Sequence, residues 1–409
     1  MDTKVQRKIL SNGINIFLLP RKNTKILYLQ VSSKYGENME NSPGIVHLFE
    51  HLISFFTSKK YPNANKNSQY LDQEALENNA STDDEQMSLW IKGLSTHHDL
   101  MLDLIVNVLL HPQIDATKLK QEKNAVRQEL KNEISDTWHD CNTLADKWIY
   151  KGTNQSISTR KILKNVDKIT LHQLNKLRNY IFDPRLLVIF IAGDLPPHEK
   201  LKSFYKKLQT RKSPNIPLPI QKQVKDRPWG KVFTCKNKNP HALIMIFFDI
   251  NISRFDIAKD ACVECINFLL ADGMSSRLYK ELRLVQGEIY NVDVEVELDY
   301  LGPKGSFIKI ETKCDSKKVS KVINTIIRLL STFNPTTKEM NRWKESIKFT
   351  KNEWKLDIYP SSYVEGYEPY LLWGKFVTFK QIIAARNAVT KKDIKNQIKQ
   401  LSNPIIIHS

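Results

Sequence analysis

Residues 44–51 read Gly-Ile-Val-His-Leu-Phe-Glu-His, and the interpretation of the whole chain begins with this stretch. The Ser-Pro pair at 42–43 precedes it and predicts a helix start, with Ser as the N-cap and Pro in the first turn. The residues that follow are rich in Ile, Val, Leu and Phe and predict a helix over 43–57. His47 and His51 are four positions apart on such a helix, so both imidazoles project from one face.

Two histidines at this spacing can hold one zinc ion through ring nitrogens, at about 2.0–2.1 Å from the metal. Glu50 directly precedes His51, so it borders the same face and can reach a water beside the metal without being a ligand. The pattern His-x-x-Glu-His is the inverted form of a zinc-peptidase motif. A five-residue motif also recurs by chance, and a histidine pair on an apolar helix is often only part of a core or a surface. A catalytic zinc needs three protein ligands, so a further donor is required.

The segment 115–133 offers a candidate for the third ligand. It contains good helix formers, lacks Gly and Pro, and spaces its apolar residues at roughly helical intervals, so we expect it to open a helix over 115–150. Glu122 and Glu129 are seven positions apart, two helical turns, and therefore share a face. Taken alone, both would be read as part of a solvated helix face, which is the commoner place for Glu.

The His-x-x-Glu-His motif, the long gap and the run Asn-Ala-Val-x-x-Glu ending at Glu129 together resemble one family of enzymes. This is the pitrilysin, insulysin and mitochondrial-processing-peptidase superfamily of zinc metallopeptidases. The resemblance implies a zinc site formed by His47, His51 and Glu129, with Glu122 supporting a histidine. It also implies that Glu50 is the general base for peptide hydrolysis.

A second part of the resemblance lies at 79–90, which reads Asn-Ala-Ser-Thr-Asp-Asp-Glu-Gln-Met-Ser-Leu-Trp. It is similar to the family segment Asn-Ala-x-Thr-x-x-Glu, a strand beside the zinc, and it follows a Lys-Tyr-Pro stretch at 60–62. The resemblance implies that Asn79 and Ala80 position an extended substrate as an added strand. Without it, the segment would be an ordinary polar turn leading into a strand. The run also resembles the poxvirus metalloproteinase locally, which suggests a viral origin.

A third part lies at 272–290, where Asp-Gly-Met-Ser-Ser-Arg-Leu-Tyr is followed by Leu-Arg and then by Gly-Glu-Ile-Tyr. This block resembles the family pattern whose Arg and Tyr hold the substrate, which here implies Arg283 and Tyr290. Such donors lower the barrier to hydrolysis by stabilising negative charge that develops on the carbonyl oxygen. Positions 288 and 289 depart from the usual Leu-Ala. Taken alone, Arg283 would be a helix-capping or ion-paired residue, and Tyr290 a half-buried strand residue.

Composition limits the class of protein. The chain has 409 residues, of which 41% are hydrophobic, enough for two or more domains with their own cores. It contains no apolar run long enough to span a membrane, and its first residues predict a strand rather than a signal or transit peptide. We therefore expect a cytoplasmic or otherwise intracellular protein, or a virion protein if the origin is viral. The five cysteines, an odd and sparse set, do not indicate a disulfide framework.

The net charge is +18, but Lys and Arg are spread along the chain and no nucleic-acid-binding motif is present. We therefore expect a peptide or unfolded-protein substrate as partner, without a membrane or nucleic acid. The order of strands and helices predicts three parts: a zinc-binding catalytic domain at 1–208, a proline-rich linker at 209–228 and a second related domain at 229–409. The resemblance implies an α+β fold in which each domain is a mostly antiparallel sheet with helices packed on one face. Half-sized family members form dimers, so a homodimer, or a heterodimer with a related chain, is expected.

These patterns predict a zinc metalloendopeptidase that binds one zinc ion per chain. Two other classes remain open. One is a catalytically silent structural or assembly subunit of the same family, although such proteins typically lack zinc ligands or the Glu base. The other is a basic nucleic-acid-binding protein of a virion, which would bind DNA with a steep salt dependence and need no zinc.

Overall fold

The computed structural model describes residues 5–21, 24–214, 216–236, 239–356, 360–372, 374–375 and 377–409. The chain forms two compact units, and each unit is assembled from three separate segments. The first unit comprises Met1–Asn132, Thr159–Lys222 and Leu356–Phe376, and the second comprises Glu133–Ser158, Gln223–Lys355 and Val377–Ser409. The domain limits of 1–208, 209–228 and 229–409 that follow from the sequence stay a prediction.

Eleven named strands form two sheets within the part of the chain that the structure describes. The strands are β1 Gln6–Ile9, β2 Asn15–Pro20, β3 Ile26–Ser33, β4 Glu77–Thr82, β5 Met87–Leu94, β6 Leu187–Gly193, β7 Val232–Thr234, β8 His241–Asp249, β9 Ile289–Glu297, β10 Phe307–Asp315 and β11 Ile405–His408. The first unit contains the order β1-β2-β6-β3-β5-β4, and the second contains β7-β11-β8-β10-β9. Each sheet has one parallel pair, β2 with β6 and β7 with β11, and its other pairs are antiparallel.

Groups of one to five helices lie between the strands along the described part of the chain. They are α1 Ile45–Ile53, α2 Ala64–Gln73, α3 His98–Leu110, α4 Leu119–Ser135, α5 His139–Ile149, α6 Thr159–Val166, α7 Leu171–Ile181, α8 His198–Leu208, α9 Ile257–Ala271, α10 Val319–Ser331, α11 Thr337–Leu356, α12 Pro360–Leu371, α13 Phe379–Ala388 and α14 Lys391–Ile398. Two α+β units with mostly antiparallel sheets are the fold expected from the sequence, and that expectation is confirmed.

Burial along the strands shows where the core of the first unit lies. β6 is buried over its whole length and β3 over all but its first residue, so both central strands are covered on both faces. Gly193 ends β6 with a φ of +105°, and a Cβ at this position would lie 2.1 Å from the carbonyl oxygen of Ile26. Only glycine fits this junction between β6 and β3.

Helix α1 is shorter than predicted and starts differently. It begins at Ile45, after Gly44 in the left-handed conformation with a φ of +84°, rather than at Pro43. Gly44, not Ser42, occupies the N-cap position, and the Ser42 hydroxyl instead accepts a hydrogen bond of 3.0 Å from the Asn165 side chain. The helix ends before Phe56, which also has a positive φ.

The long helix predicted over 115–150 is two helices. α4 and α5 are separated by a turn in which the backbone N–H of Trp138 donates to Oδ1 of Asp136 over 2.7 Å. Short side chains such as Asp compete with helical hydrogen bonds in this way. In the second unit, Cys141 of α5 forms a disulfide with Cys235, a pair that composition did not indicate. Among the residues that the structure describes, no helix is both long and apolar enough to cross a membrane.

An ion pair stabilises the start of α11 in the second unit. Arg277 donates from Nε and Nη2 to the two carboxylate oxygens of Glu339 over 2.6 and 2.8 Å, and both side chains are at least 80% covered. Burial alone raises the pKa of Glu339, but hydrogen bonds from Arg277 and Thr336 outweigh it and hold that pKa at about 2. The folded state therefore favours the ionised carboxylate.

We expect Arg277→Gln to lower the free energy of unfolding by about 2 kcal/mol at pH 7, because it leaves a largely covered carboxylate without its main partner. The folded pKa of Glu339 lies below its ordinary value of 4.5, so this loss should be full above pH 4.5 and fade as the pH falls towards 2. Urea unfolding at pH 7, 4 and 3 measures it. Arg328→Gln is the matched control, since Arg328 pairs with Glu281 at 3.4 Å and is more exposed. A loss that does not change with pH would contradict the role of the ion pair.

Candidate metal centre

Three side-chain atoms from α1 and α4 face one another at the surface of the first unit. Nε2 of His47 and Nε2 of His51 are 3.3 Å apart, and Oε2 of Glu129 is 3.4 Å from each of them. Bonds of about 2.0–2.1 Å in tetrahedral directions place the ligand atoms of a zinc ion about 3.3–3.4 Å from one another. The spacing of these three atoms therefore matches that of the ligands of one zinc ion.

The other ring nitrogen of His51 has a carboxylate partner. Nδ1 of His51 lies 3.3 Å from Oε2 of Glu122, and the Glu122 residue is only 8% exposed. A carboxylate at this position fixes the orientation of the imidazole and leaves Nε2 to bind the metal. Because Glu122 and Glu129 are two turns apart on α4, the first supports His51 while the second faces both histidines.

Both helices bury residues in the same hydrophobic core of the first unit. α1 buries Val46, Phe49 and Ile53, among other apolar residues, and this leaves its histidines on the opposite face. α4 buries Val126 and Leu130, which are one turn apart. On α1 the histidines therefore lie opposite the apolar stripe, whereas on α4 Glu122 is buried in line with Val126 and Leu130.

Glu50 is a second carboxylate beside the histidines. Its Oε2 lies 4.0 Å from Nε2 of His47, and ligand atoms of His47, Glu50 and His51 lie within 4.8 Å of one another. Glu129 approaches both histidines more closely, so the distances favour Glu129 as the third ligand and leave Glu50 at the margin of the site. Burial raises the pKa of Glu50 to about 7, the charge of His51 opposes this rise, and the charge of Glu129 adds to it.

Strand β4 carries Asn79 and Ala80 at the edge of the sheet of the first unit. β5 pairs with one side of β4, and no other strand within the described residues pairs with its opposite side. The Asn78 side chain donates to the carbonyl oxygen of Ser54 over 2.8 Å and so joins β4 to the end of α1. Asn79 is exposed, and its Oδ1 accepts from the backbone N–H of Ala80 over 2.9 Å. The strand edge therefore lies beside the helix that carries both histidines.

Arg283 and Tyr290 lie in the second unit and contact each other. Arg283 belongs to a π-helical segment, Tyr279–Val285, and Tyr290 lies in β9 with 78% of its surface exposed. The guanidinium donates to the carbonyl oxygen of Tyr290 and lies 4.4 Å from the centre of the Tyr290 ring. The Tyr290 ring and the guanidinium of Arg283 therefore lie together at the surface of the second unit.

Sequence reasoning missed Glu37, which contacts the start of α1. Its Oε1 accepts from the backbone N–H of His47 over 2.8 Å, and its Oε2 accepts from that of Gly44 over 3.1 Å. Burial raises the pKa of Glu37 to about 7, although the hydrogen bonds from His47 and Gly44 oppose the rise. No spacing rule identifies a capping residue that lies outside the helix. The one sequence signal for such a residue was weak: Gly44, at the N-cap position, has no side chain that could cap α1.

The first unit also contains a cavity of about 540 Å³ near the start of α1. Glu40, Asn165, Lys176 and Tyr180 are among its lining residues, together with Ile45. None of the three atoms of the metal-binding triangle lines it. The chemistry of the donor atoms therefore identifies the candidate site better than the volume of this cavity does.

Comparison with known protein families gives two adjacent matches. The profile described as insulinase (peptidase family M16) matches residues 18–163, which include all three atoms of the triangle and Glu50. The profile described as the peptidase M16 inactive domain matches residues 168–347, which include Arg283 and Tyr290.

Individual relatives are similar over different lengths. YmxG of Bacillus subtilis, described as an uncharacterised zinc protease, is 24% identical over 97% of this chain and 95% of its own length. Mouse insulin-degrading enzyme is 27% identical over 51% of this chain, which corresponds to 21% of that enzyme. A Helicobacter pylori protein described as non-peptidase homolog YmxG is 21% identical over 69% of this chain and 65% of its own length. These bacterial and animal relatives lend no support to a viral origin or to the local resemblance to the poxvirus metalloproteinase.

Solved structures show the same fold. A protease from Helicobacter pylori superposes with a TM-score of 0.85 at 15% identity and covers 100% of this chain and 99% of its own. A peptidase M16 inactive domain from Pseudomonas fluorescens gives a TM-score of 0.83 at 14% identity and covers 99% of this chain and 98% of its own. At these identities the likeness concerns the fold alone.

Proposed function

This chain belongs to the insulinase family of peptidases, M16, and on that premise we propose that it is a zinc metalloendopeptidase acting on peptides or extended protein segments. The observation that carries the proposal is the triangle of His47, His51 and Glu129, whose 3.3–3.4 Å edges match the ligand spacing of a tetrahedral zinc. Three protein ligands leave one coordination position for the reaction, as in other catalytic zinc sites.

In the proposed mechanism, the side chains of the site have three roles: metal binding, orientation of a ligand and proton transfer. When bound, zinc supplies a Lewis acid that polarises the scissile carbonyl and lowers the pKa of water. His47, His51 and Glu129 would hold the ion, and Glu122 would keep the His51 ring in the binding orientation. Glu50, which stays free of the triangle, takes a proton from the attacking water and gives it to the leaving amine.

The substrate is proposed to bind as an added strand along the free edge of β4. An extended peptide can pair with exposed backbone groups of a sheet edge, so affinity comes from the main chain. Asn79 and Ala80 lie on this edge, and the Asn79 side chain now accepts the N–H of Ala80, a bond that a peptide carbonyl can replace. This placement supports the role of both residues in positioning the peptide.

Arg283 and Tyr290 are proposed to contact the substrate and to stabilise the developing oxyanion. Their support is the local arrangement, in which a planar guanidinium with several donors lies over an exposed tyrosine ring. We also propose that the chain acts as a homodimer, or as a heterodimer with a related chain. Sedimentation of the active protein at the concentration used for the assay tests this, and a fully active monomer would contradict it.

Peptide cleavage tests the proposed function directly. We would incubate zinc-loaded protein with a mixed peptide library and identify the products by mass spectrometry, beside a chelator-treated sample and the same sample after zinc is returned. Products that disappear with the chelator and return with zinc are expected. No cleavage by the zinc-loaded protein, as a monomer or a dimer, would contradict the proposal. That result would favour a catalytically silent assembly subunit. One relative of this chain is itself described as a non-peptidase homolog.

A further inference from the structure

The start of α1 depends on a side chain from outside the helix. The first backbone N–H groups of a helix have no partner within it, and Gly44 at the N-cap position offers no side chain to satisfy them. Glu37 accepts hydrogen bonds from Gly44 and His47, and a further backbone bond from Val46 acts on the same carboxylate. In its ionised form this carboxylate also interacts favourably with the partial positive charge at the helix N-terminus.

This cap acts directly on a candidate metal ligand. His47 is the third residue of α1, in the turn where helices fray most easily, and its own N–H is bound by Glu37 over 2.8 Å. His51 lies one turn further on and is held through its ring by Glu122. Each histidine of the site is therefore fixed by a different glutamate, one through the backbone and one through the imidazole.

The turn that contains Glu37, residues 36–38, also contacts the hairpin that begins with the edge strand β4. The N–H of Glu37 donates to the carbonyl oxygen of Asp83 over 3.0 Å, and the N–H of Asn38 donates to that of Asp84 over 3.1 Å. Gly36 packs so closely that a Cβ would lie 2.4 Å from the carbonyl carbon of Asp84. Asp83 and Asp84 immediately follow β4, so the turn contacts both the metal-binding helix and the strand edge proposed to bind substrate.

We propose that Glu37 is a positioning residue for the metal centre, and that the turn Gly36–Asn38 sets the position of His47 relative to the edge of β4. The second half of this statement rests on the proposed function, because it assigns the edge to the substrate. The first half concerns zinc binding alone and does not require that the protein cleave peptides.

The zinc affinity of Glu37 variants tests the first half. We expect Glu37→Ala to bind zinc about 10–100-fold more weakly, which is the usual effect of removing a group that orients a ligand. Glu37→Gln should recover part of this affinity, because its amide oxygen can replace one of the two accepting carboxylate oxygens, whereas its NH2 group cannot accept the other N–H. Glu40→Gln is the control, since Glu40 lies in the same segment but accepts from the Tyr35 hydroxyl. Competition with a chromophoric chelator gives the affinities, and the absorption spectrum of the cobalt form reports ligand geometry.

The outcomes separate positioning from a general loss of structure. Thermal unfolding of the zinc-free variants establishes that they fold. A folded Glu37→Ala with the zinc affinity and cobalt spectrum of Glu40→Gln would overturn the role of Glu37. If Glu37→Ala does not fold, Glu37→Gln decides in the same way. Because these measurements use no substrate, an inactive wild type would contradict the proposed function and leave this result standing.

Gly36→Ala tests the second half. Its Cβ would displace the turn from the hairpin after β4, so we expect both a weaker zinc affinity and, at saturating zinc, a higher KM for peptide. A variant that folds and retains both values would overturn the assignment of the turn as a link between the two.

Discussion

Glu50→Gln is expected to abolish peptide hydrolysis while leaving zinc bound. An amide of the same shape cannot take a proton from the attacking water, and the loss of a general base typically costs about 10²–10⁴-fold in rate. Zinc binding should persist because Glu50 is not part of the triangle, and its Oε2 lies 4.0 Å from Nε2 of His47. The expected signature is therefore a loss of kcat with a normal zinc content.

Peptide turnover and zinc content of the same preparation measure this pair of effects. Glu199→Gln makes the same chemical change at an 81% exposed position on α8 and is expected to behave as wild type. Activity within tenfold of wild type in Glu50→Gln would remove Glu50 from the role of base. Zinc lost together with activity would instead place Glu50 among the ligands.

Part of the candidate metal centre follows directly from the sequence. Helical spacing alone puts His47, Glu50 and His51 near one another, since neighbours on a helix face are set by backbone geometry. Glu122 and Glu129 are also related by helical spacing, but nothing in that spacing says that their helix packs beside α1. Family resemblance supplied this link, and in the structure the two glutamates lie 3.3–3.4 Å from the histidine nitrogens.

Errors occurred where distant parts of the chain decide local structure. The start of α1 was misplaced because the cap comes from Glu37, outside the helix, while Ser42 bonds to Asn165. Tertiary contacts of this kind leave no periodic pattern in the sequence. The pairing of Cys141 with Cys235, which are 94 positions apart, has the same character.

The sequence also did not indicate that two segments belong to a different unit from their neighbours in the chain. Glu133–Ser158 lies with the second unit although it precedes most of it, and Leu356–Phe376 lies with the first. In the second sheet, β11 from the end of the chain pairs with β7 and β8. Local propensity predicts that such strands exist but cannot state their partners, because pairing depends on packing across the whole unit.

Glu129→Gln is expected to cause the largest loss of zinc among the carboxylate variants. The carboxylate approaches both histidine nitrogens at 3.4 Å, and an uncharged amide is a much poorer zinc ligand. We expect the zinc affinity to fall by more than about 100-fold, beyond the 10–100-fold typical of groups that only orient a ligand. Peptidase activity should fall with it and return only in part when excess zinc is added.

The order of the zinc affinities tests the assignment of all three carboxylates. Glu129→Gln should bind zinc most weakly, because a ligand is lost. Glu122→Gln should be intermediate, because His51 keeps its place on α1 but loses the partner of Nδ1 at 3.3 Å. Glu50→Gln should bind zinc as wild type does, although its activity is lost. Competition with a chromophoric chelator measures this series, and an exchange of the first and last positions would show that Glu50, rather than Glu129, completes the zinc site.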